Sequence, residues 1–245
     1  IIFTPLLGTQ TFALGKGGDV EIDVAEDIII QDFFTINANS FAAGDSGNIT
    51  INSDNLTLIG KPPLPGQPLS STISTVASDT GNAGNITLTG TRLLVEDGGI
   101  ILSQTRNQGN TGLITTQFTE GITVQGSFAL TSNPSPNNFF PSTIGTLSTG
   151  SGNASNTRIE TRILTLFDGG RINATTNNTG NGGRIRISAN TINIDSPPET
   201  ADNPFTQSQI VSSSETASPD FQRIFDLPLF PEGDAGSIAI NSDRI

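Results

Sequence analysis

One phrase recurs along the chain and limits what it can fold into: GKGGDVEI at 15, GDSGNITI at 44, GNAGNITL at 81, GNTGLITT at 109, GNASNTRI at 152, GNGGRIRI at 180 and GDAGSIAI at 233. Each copy has a Gly, a second Gly three residues on (Ser155 once), and apolar residues two and four places later, except at Thr157 and Thr116. A period of two is a strand signal, and the paired glycines mark a turn that needs either positive φ or close backbone approach. The starts are separated by 29, 37, 28, 43, 28 and 53 residues. A unit of about 28 residues therefore recurs with additions.

Within a unit a second apolar segment follows the first: IIIQ at 28, LTLI at 56, LLVE at 93, ITVQ at 122, ILTLF at 163 and INID at 192. A third carries an Ile eight residues before the next Gly, at Ile36, Ile73, Ile101, Ile144 and Ile172. Because that interval holds while unit length varies, most of the surplus lies upstream of the third strand. It falls in proline-rich stretches near 61–72, 127–143 and 196–209, with a fourth near 218–232. These read as loops projecting from a regular body.

Three short strands per unit cannot bury their apolar faces alone, but they can if successive units stack like on like. The predicted fold is all-β: a right-handed parallel β-helix, one solenoid over residues 1–245, read as a fragment of a longer protein. Ile49, Ile51, Ile86, Leu88, Ile185 and Ile187 are its expected inward ladders. Gly44, Gly47, Asn48, Gly81, Gly84, Asn85, Gly180 and Gly183 are expected to form the corners, with Asp19 and Asn156 in register with the Asn pair, so that amides bond from rung to rung. An antiparallel sandwich does not explain one motif recurring in register, and the 3.6-residue period of a helical solenoid is not visible.

Composition narrows the function classes. With 11 basic against 23 acidic side chains the net charge is -12, and no basic field is present to attract nucleic acid. Cys and His are absent, which removes thiolate nucleophiles, disulfides, zinc-thiolate sites and His-dependent triads. No run reaches the roughly 20 apolar residues that span a bilayer.

The seven anchor phrases, with segments such as GNAGNITL and LLVEDGG, resemble the filamentous-haemagglutinin-like exoproteins of Gram-negative bacteria, particularly the large cyanobacterial ones. That resemblance implies a secreted or surface-attached protein, exported through an outer-membrane transporter by two-partner secretion and used in adhesion, with a cell-surface glycan or protein receptor as partner. The family's amino-terminal secretion domain is not recognisable here, so the chain corresponds to downstream stalk.

The candidate binding residues are loop-borne aromatics: Phe139 and Phe140 in NPSPNNFFPS, and Phe221, Phe225 and Phe230 in the late insertion. Their alternative role is to fold back over the helix. A polysaccharide lyase or glycoside hydrolase on the same scaffold is the alternative function, but it needs clustered carboxylates. Asp97 and Asp168, in the repeated DGG, and Asp32, equivalently spaced, read as turn formers instead. No cofactor or metal is expected: Asp45, Asp97, Asp168 and Asp234 lie in Gly-rich turns, but the nine-residue calcium β-roll pattern is missing. Arg158 and Arg186 align on the outward side of the first strand, where stacked cations repel unless Glu160 or solvent intervenes.

Overall fold

The computed structural model describes residues 6–60, 70–129, 139–198, 206–217, 219, 222–223 and 226–245. The chain alternates between two parallel sheets, passing from a long strand to a short one and back in each winding, as a parallel β-helix does. The short strands are β1 (Leu6–Thr11), β4 (Thr35–Ser40), β6 (Thr72–Ala77), β8 (Ile100–Thr105), β12 (Thr143–Ser148), β14 (Arg171–Thr176) and β16 (Gln209–Ser214), paired in that order. The other sheet holds β2 (Val20–Asp23) and β3 (Ile28–Ile30) side by side on β5 (Ile49–Ile59), then β7 (Ile86–Glu96), β9 (Ile114–Gln125), β13 (Thr157–Phe167), β15 (Ile185–Ile194) and β17 (Ile238–Arg244). Among the described residues helical backbone is confined to Pro219, Gln222 and Arg223, and no helix is long and apolar enough to cross a membrane.

The first and second of the three expected segments run together. They are separate as β2 and β3, but in β5, β7, β9, β13 and β15 they form one continuous strand of 10 to 12 residues. Their junction survives as one position missing from the ladder in β5, β7, β13 and β15, at Asp54, Thr91, Arg162 and Asn190, and as a bulge in β9, which carries two residues there, Thr119 and Glu120. A bulge bends a strand without ending it, so β9 takes up its extra residue there while its neighbours stay in register on either side.

Register follows the repeated phrase. Val20, Ile49, Ile86, Ile114, Thr157, Ile185 and Ile238 form one column, and Ile22, Ile51, Leu88, Thr116, Ile159, Ile187 and Ile240 the next inward one. Ile49, Ile51, Ile86, Leu88, Ile185 and Ile187 are all 0% exposed. Each fully buried aliphatic of this kind contributes roughly 1.5–3 kcal/mol. The short strands supply the facing column Ile36, Ile73, Ile101, Ile144 and Ile172. Both exceptions to the apolar pattern, Thr116 and Thr157, point inward and are fully buried. Phe118 is the large buried side chain among aliphatics, and it sits between Gly90 and Thr161, whose small size makes the room.

Candidate functional site

Two corners join the sheets, and they differ in kind. Where a short strand leads into a long one, the chain makes the Gly-Asn corner. There the backbones of neighbouring rungs nearly touch: a Cβ on Gly84 would lie 1.8 Å from the Gly47 carbonyl oxygen, and one on Gly180 would lie 2.0 Å from that of Gly152. Gly44, Gly47, Gly81 and Gly183 meet the preceding rung in the same way. None of these glycines has positive φ, so close approach, rather than left-handed backbone, is why the corner needs them. Ser155, in the same column, donates its amide N–H to the Thr111 hydroxyl at 2.6 Å, as Gly84 does to the Ser46 hydroxyl at 2.7 Å.

Asparagine carboxamides tie this corner together along the stack. Asn48 and Asn85 form the expected ladder: Asn48 N–H donates to Asp19 Oδ1 at 2.7 Å, Asn85 N–H to Asn48 Oδ1 at 2.9 Å, and Leu113 N–H to Asn85 Oδ1 at 2.8 Å. A second ladder, unrecognised in the sequence, runs three residues earlier. The amides of Asn82, Asn110, Asn153, Asn181 and Asp234 donate in turn to Oδ1 of Asp45, Asn82, Asn110, Asn153 and Asn181, at 2.7 to 2.9 Å. Its members are 37, 28, 43, 28 and 53 residues apart, the same intervals that separate the sequence phrases. Asp45 therefore serves as a ladder acceptor.

The other corner, from long strand to short, carries the insertions. In its tight form it is a β-turn with positive φ at both central residues: Asp97 (49°) and Gly98 (83°), Asp168 (47°) and Gly169 (86°), and Asp32 (57°) with Phe33 (65°). The closing bonds are Gly99 N–H to Glu96 O at 3.0 Å, Gly170 N–H to Phe167 O at 3.0 Å and Phe34 N–H to Gln31 O at 3.1 Å. Such primed turns favour Asp and Gly, so the three aspartates are turn formers and stand on alternate rungs. The rungs between them, ending in β5, β9 and β15, carry the insertions near 61–72, 127–143 and 196–209 at the same corner. The insertion near 218–232 lies at the Gly-Asn corner instead, between β16 and β17.

The best-described insertion begins and ends in a two-stranded antiparallel ribbon, β10 (Ser127–Ala129) and β11 (Phe139–Pro141). Ser142 closes its base. Its amide donates to Gly126 O at 3.0 Å, its hydroxyl donates to Gln125 O at 2.5 Å, and that hydroxyl accepts Gly98 N–H at 2.9 Å. Phe128 and Phe140 stack with centroids 5.0 Å apart, and Phe128 is 7% exposed. A Cβ on Gly98 would meet Phe128 at 2.4 Å, so the ribbon lies on the neighbouring tight turn. Phe140 is half-buried and covers the body. Phe139 belongs to β11, but its side chain, and the whole of Phe221 and Phe225, lie outside the described residues. Phe230 is the candidate aromatic that stands in solvent, 73% exposed beside Leu229. Sequence reasoning missed a second exposed pair, Phe12 and Phe41, stacked with centroids 4.9 Å apart at the Gly-Asn corner. The signal was available, since both follow a short strand directly.

On the outward face, Arg158 and Arg186 are register partners, and Glu160 intervenes: Arg158 donates to it through Nε at 2.9 Å and through Nη2. Hydrogen bonds from Gln117 and then Arg158, with the charges of Arg158 and Arg186, hold the Glu160 carboxyl below the usual range. Arg158, Glu160 and Arg186, with Ser188 and Asn241, border a groove of about 370 Å³. Among the described residues no group of three or more Asp and Glu comes together as a metal site.

No family model, curated protein or solved structure matches the chain.

Proposed function

We propose that the protein is a structural and adhesive stalk segment of a large secreted or surface-attached bacterial exoprotein, a stiff spacer that displays loops for contact with a cell-surface glycan, a protein receptor or a matrix. In this reading the full-length protein reaches the surface through an outer-membrane transporter. One observation carries the proposal: apart from one extra residue in β9, the rungs keep register while added length falls at the corners, three times at one and the same corner. A scaffold that absorbs most added length at its corners suits presentation, and several weak contacts on one stiff body add up as avidity.

The test compares binding of the chain to a glycan array and to whole cells with that of a variant in which Gly126–Ser142 is replaced by Asp-Gly-Gly. Binding that depends on the loop supports the reading. Steady depolymerisation of pectin or alginate by the chain would instead assign it to the polysaccharide-degrading enzymes.

A further inference from the structure

Arginine gathers on two neighbouring rungs of an otherwise acidic chain. Arg158 and Arg162 lie on β13, Arg186 lies on β15, and Arg184 stands at the entrance to β15; all four are exposed. Glu160 is the single acidic residue in the two strands. Four positive charges against one negative leave this patch at a net positive charge, while the whole chain carries -12.

Register brings these charges together. Arg158 pairs with Arg186, the Arg184 amide donates to Asn156 Oδ1 at 3.0 Å just before that pair, and Arg162 and Asn190 share the position that the β13–β15 ladder skips. Along the strands the charges from Arg184 to Arg162 extend over up to roughly 20 Å. Glu160 is engaged by Arg158 and by Gln117 Nε2 at 2.5 Å, so it answers one of the stacked pair. Among the described residues Arg162, Arg184 and Arg186 make no side-chain hydrogen bond or ion pair. Like charges in adjacent register cost stability, and an anion held against Arg186 would relieve that repulsion.

The surroundings choose the kind of anion. The groove of about 370 Å³ beside Arg158 and Arg186 adjoins, at Glu160, a second of about 470 Å³ that Arg162 borders. Between the charges stand Gln117, Ser188 and Asn190, neutral groups that pair with hydroxyls. The negative field of the rest of the chain opposes a densely charged polymer such as duplex nucleic acid, which carries one charge per ~1.7 Å. A chain with one carboxylate on each sugar meets less of that opposition. The planar guanidinium fork takes a carboxylate through two parallel hydrogen bonds.

We propose that this outward face of β13 and β15 binds an unsulfated acidic polysaccharide, with a uronate carboxylate on Arg186, neighbouring carboxylates on Arg184 and Arg162, and sugar hydroxyls on Ser188 and Asn190. The proposal rests on the adhesive reading and deepens it by naming a ligand class, but it places the contact on the body of the helix and not on a loop. β13 and β15 lie between β9 and β17 and the face opens sideways, so a further rung at either end leaves it open.

Isothermal titration of the chain with polygalacturonate, its fully methyl-esterified form, heparin, polyglutamate and duplex DNA tests this. Polygalacturonate should bind at low salt, more tightly than the other four, and be released by about 0.5 M sodium chloride. Arg186→Gln and Arg162→Gln should each weaken that binding about tenfold with an unchanged circular dichroism spectrum, and Arg186→Lys should recover only part of it. Arg92→Gln, at a residue paired with Glu120 away from the patch, should change nothing. The variant with Gly126–Ser142 replaced by Asp-Gly-Gly should bind polygalacturonate as the parent does. Loop-dependent binding to cells without binding to polygalacturonate would leave the adhesive reading standing and overturn this site. Equal binding of the methyl ester, tighter binding of heparin, polyglutamate or DNA, or full binding by Arg186→Gln overturns it equally.

Discussion

The amide of Asn153 donates to Oδ1 of Asn110 at 2.8 Å, although 43 residues of chain separate the two. The bond spans one rung, and it is a middle link of the ladder from Asp45 to Asp234. Asn110→Ala would strand the Asn153 N–H at a solvent-facing corner, where water replaces part of what is lost. A loss of about 1 kcal/mol is expected, read from urea unfolding, and Asn110→Asp should lose less because it keeps the acceptor.

Thr116 points into the core with no partner for its hydroxyl. Its column is otherwise Ile or Leu, and the desolvated oxygen costs stability without a compensating bond. Thr116→Val keeps the shape and removes the polar atom. The variant should be more stable by about 1–2 kcal/mol, seen as a raised unfolding midpoint at unchanged slope.

Gly84→Ala should be among the most damaging single-atom changes available. The added carbon would lie 1.8 Å from the Gly47 oxygen, and its neighbours there are main chain that cannot rotate away. Separating the rungs at that corner would also strain the Gly84 N–H bond to the Ser46 hydroxyl at 2.7 Å. A loss of at least about 3 kcal/mol is expected. Gly121→Ala is the control, because its nearest neighbour would be at an ordinary 3.7 Å.

Replacing Gly126–Ser142 with Asp-Gly-Gly should leave the helix folded. Gln125 is in register with Glu96 and Phe167, and Thr143 with Ile100 and Arg171, the residues that flank the natural tight turns. The variant should keep the β-sheet circular dichroism signal and a melting temperature within a few degrees of the parent. Loss of cooperative unfolding would show that the ribbon is part of the core.

Stability should fall on acidification. The Asn48 backbone N–H, aided by Lys16, lowers the Asp19 carboxyl, and Gln117 and Arg158 lower that of Glu160. A carboxyl whose folded pKa is depressed contributes stability above its unfolded value, near pH 4, and loses it as pH falls through the folded value. Both groups are well solvated, so the decline should be shallow. Chemical denaturation from pH 6 down to pH 2 measures it, and Glu160→Gln should flatten part of the curve.

The architecture was legible because the repeated phrase fixes both the inward residues and their partners. Ile49 and Ile86 can be paired on paper, and they pair in the molecule. Sequence could not show that the first two segments fuse, since a single position missing from the ladder, such as Thr91, or a bulge such as Thr119 and Glu120 in β9, leaves no mark distinct from a turn. The Asn82–Asn153 ladder was visible in the aligned phrases, but it was overshadowed by the Asn48 column three places on. The hydroxyls of Thr75, Ser103 and Thr146, which bond Gly84 O or Ser155 O across the interior, were hidden because their targets are main-chain atoms. Of the aromatic candidates, Phe140 looked like loop and is cover, because Phe128, unremarked in the sequence, gives it a ring to stack on.

Expanded joints alternate with tight ones, so neighbouring rungs never both carry an outgrowth at that corner. Rungs are ~4.8 Å apart, and the outgrowths are therefore pitched at ~10 Å, enough for a ribbon to settle onto the plain turn next door. Where the β10–β11 ribbon meets the Asp97-Gly98 turn, the longer joint uses its neighbour as a seat, so that decoration belongs to a pair of windings rather than to a single one.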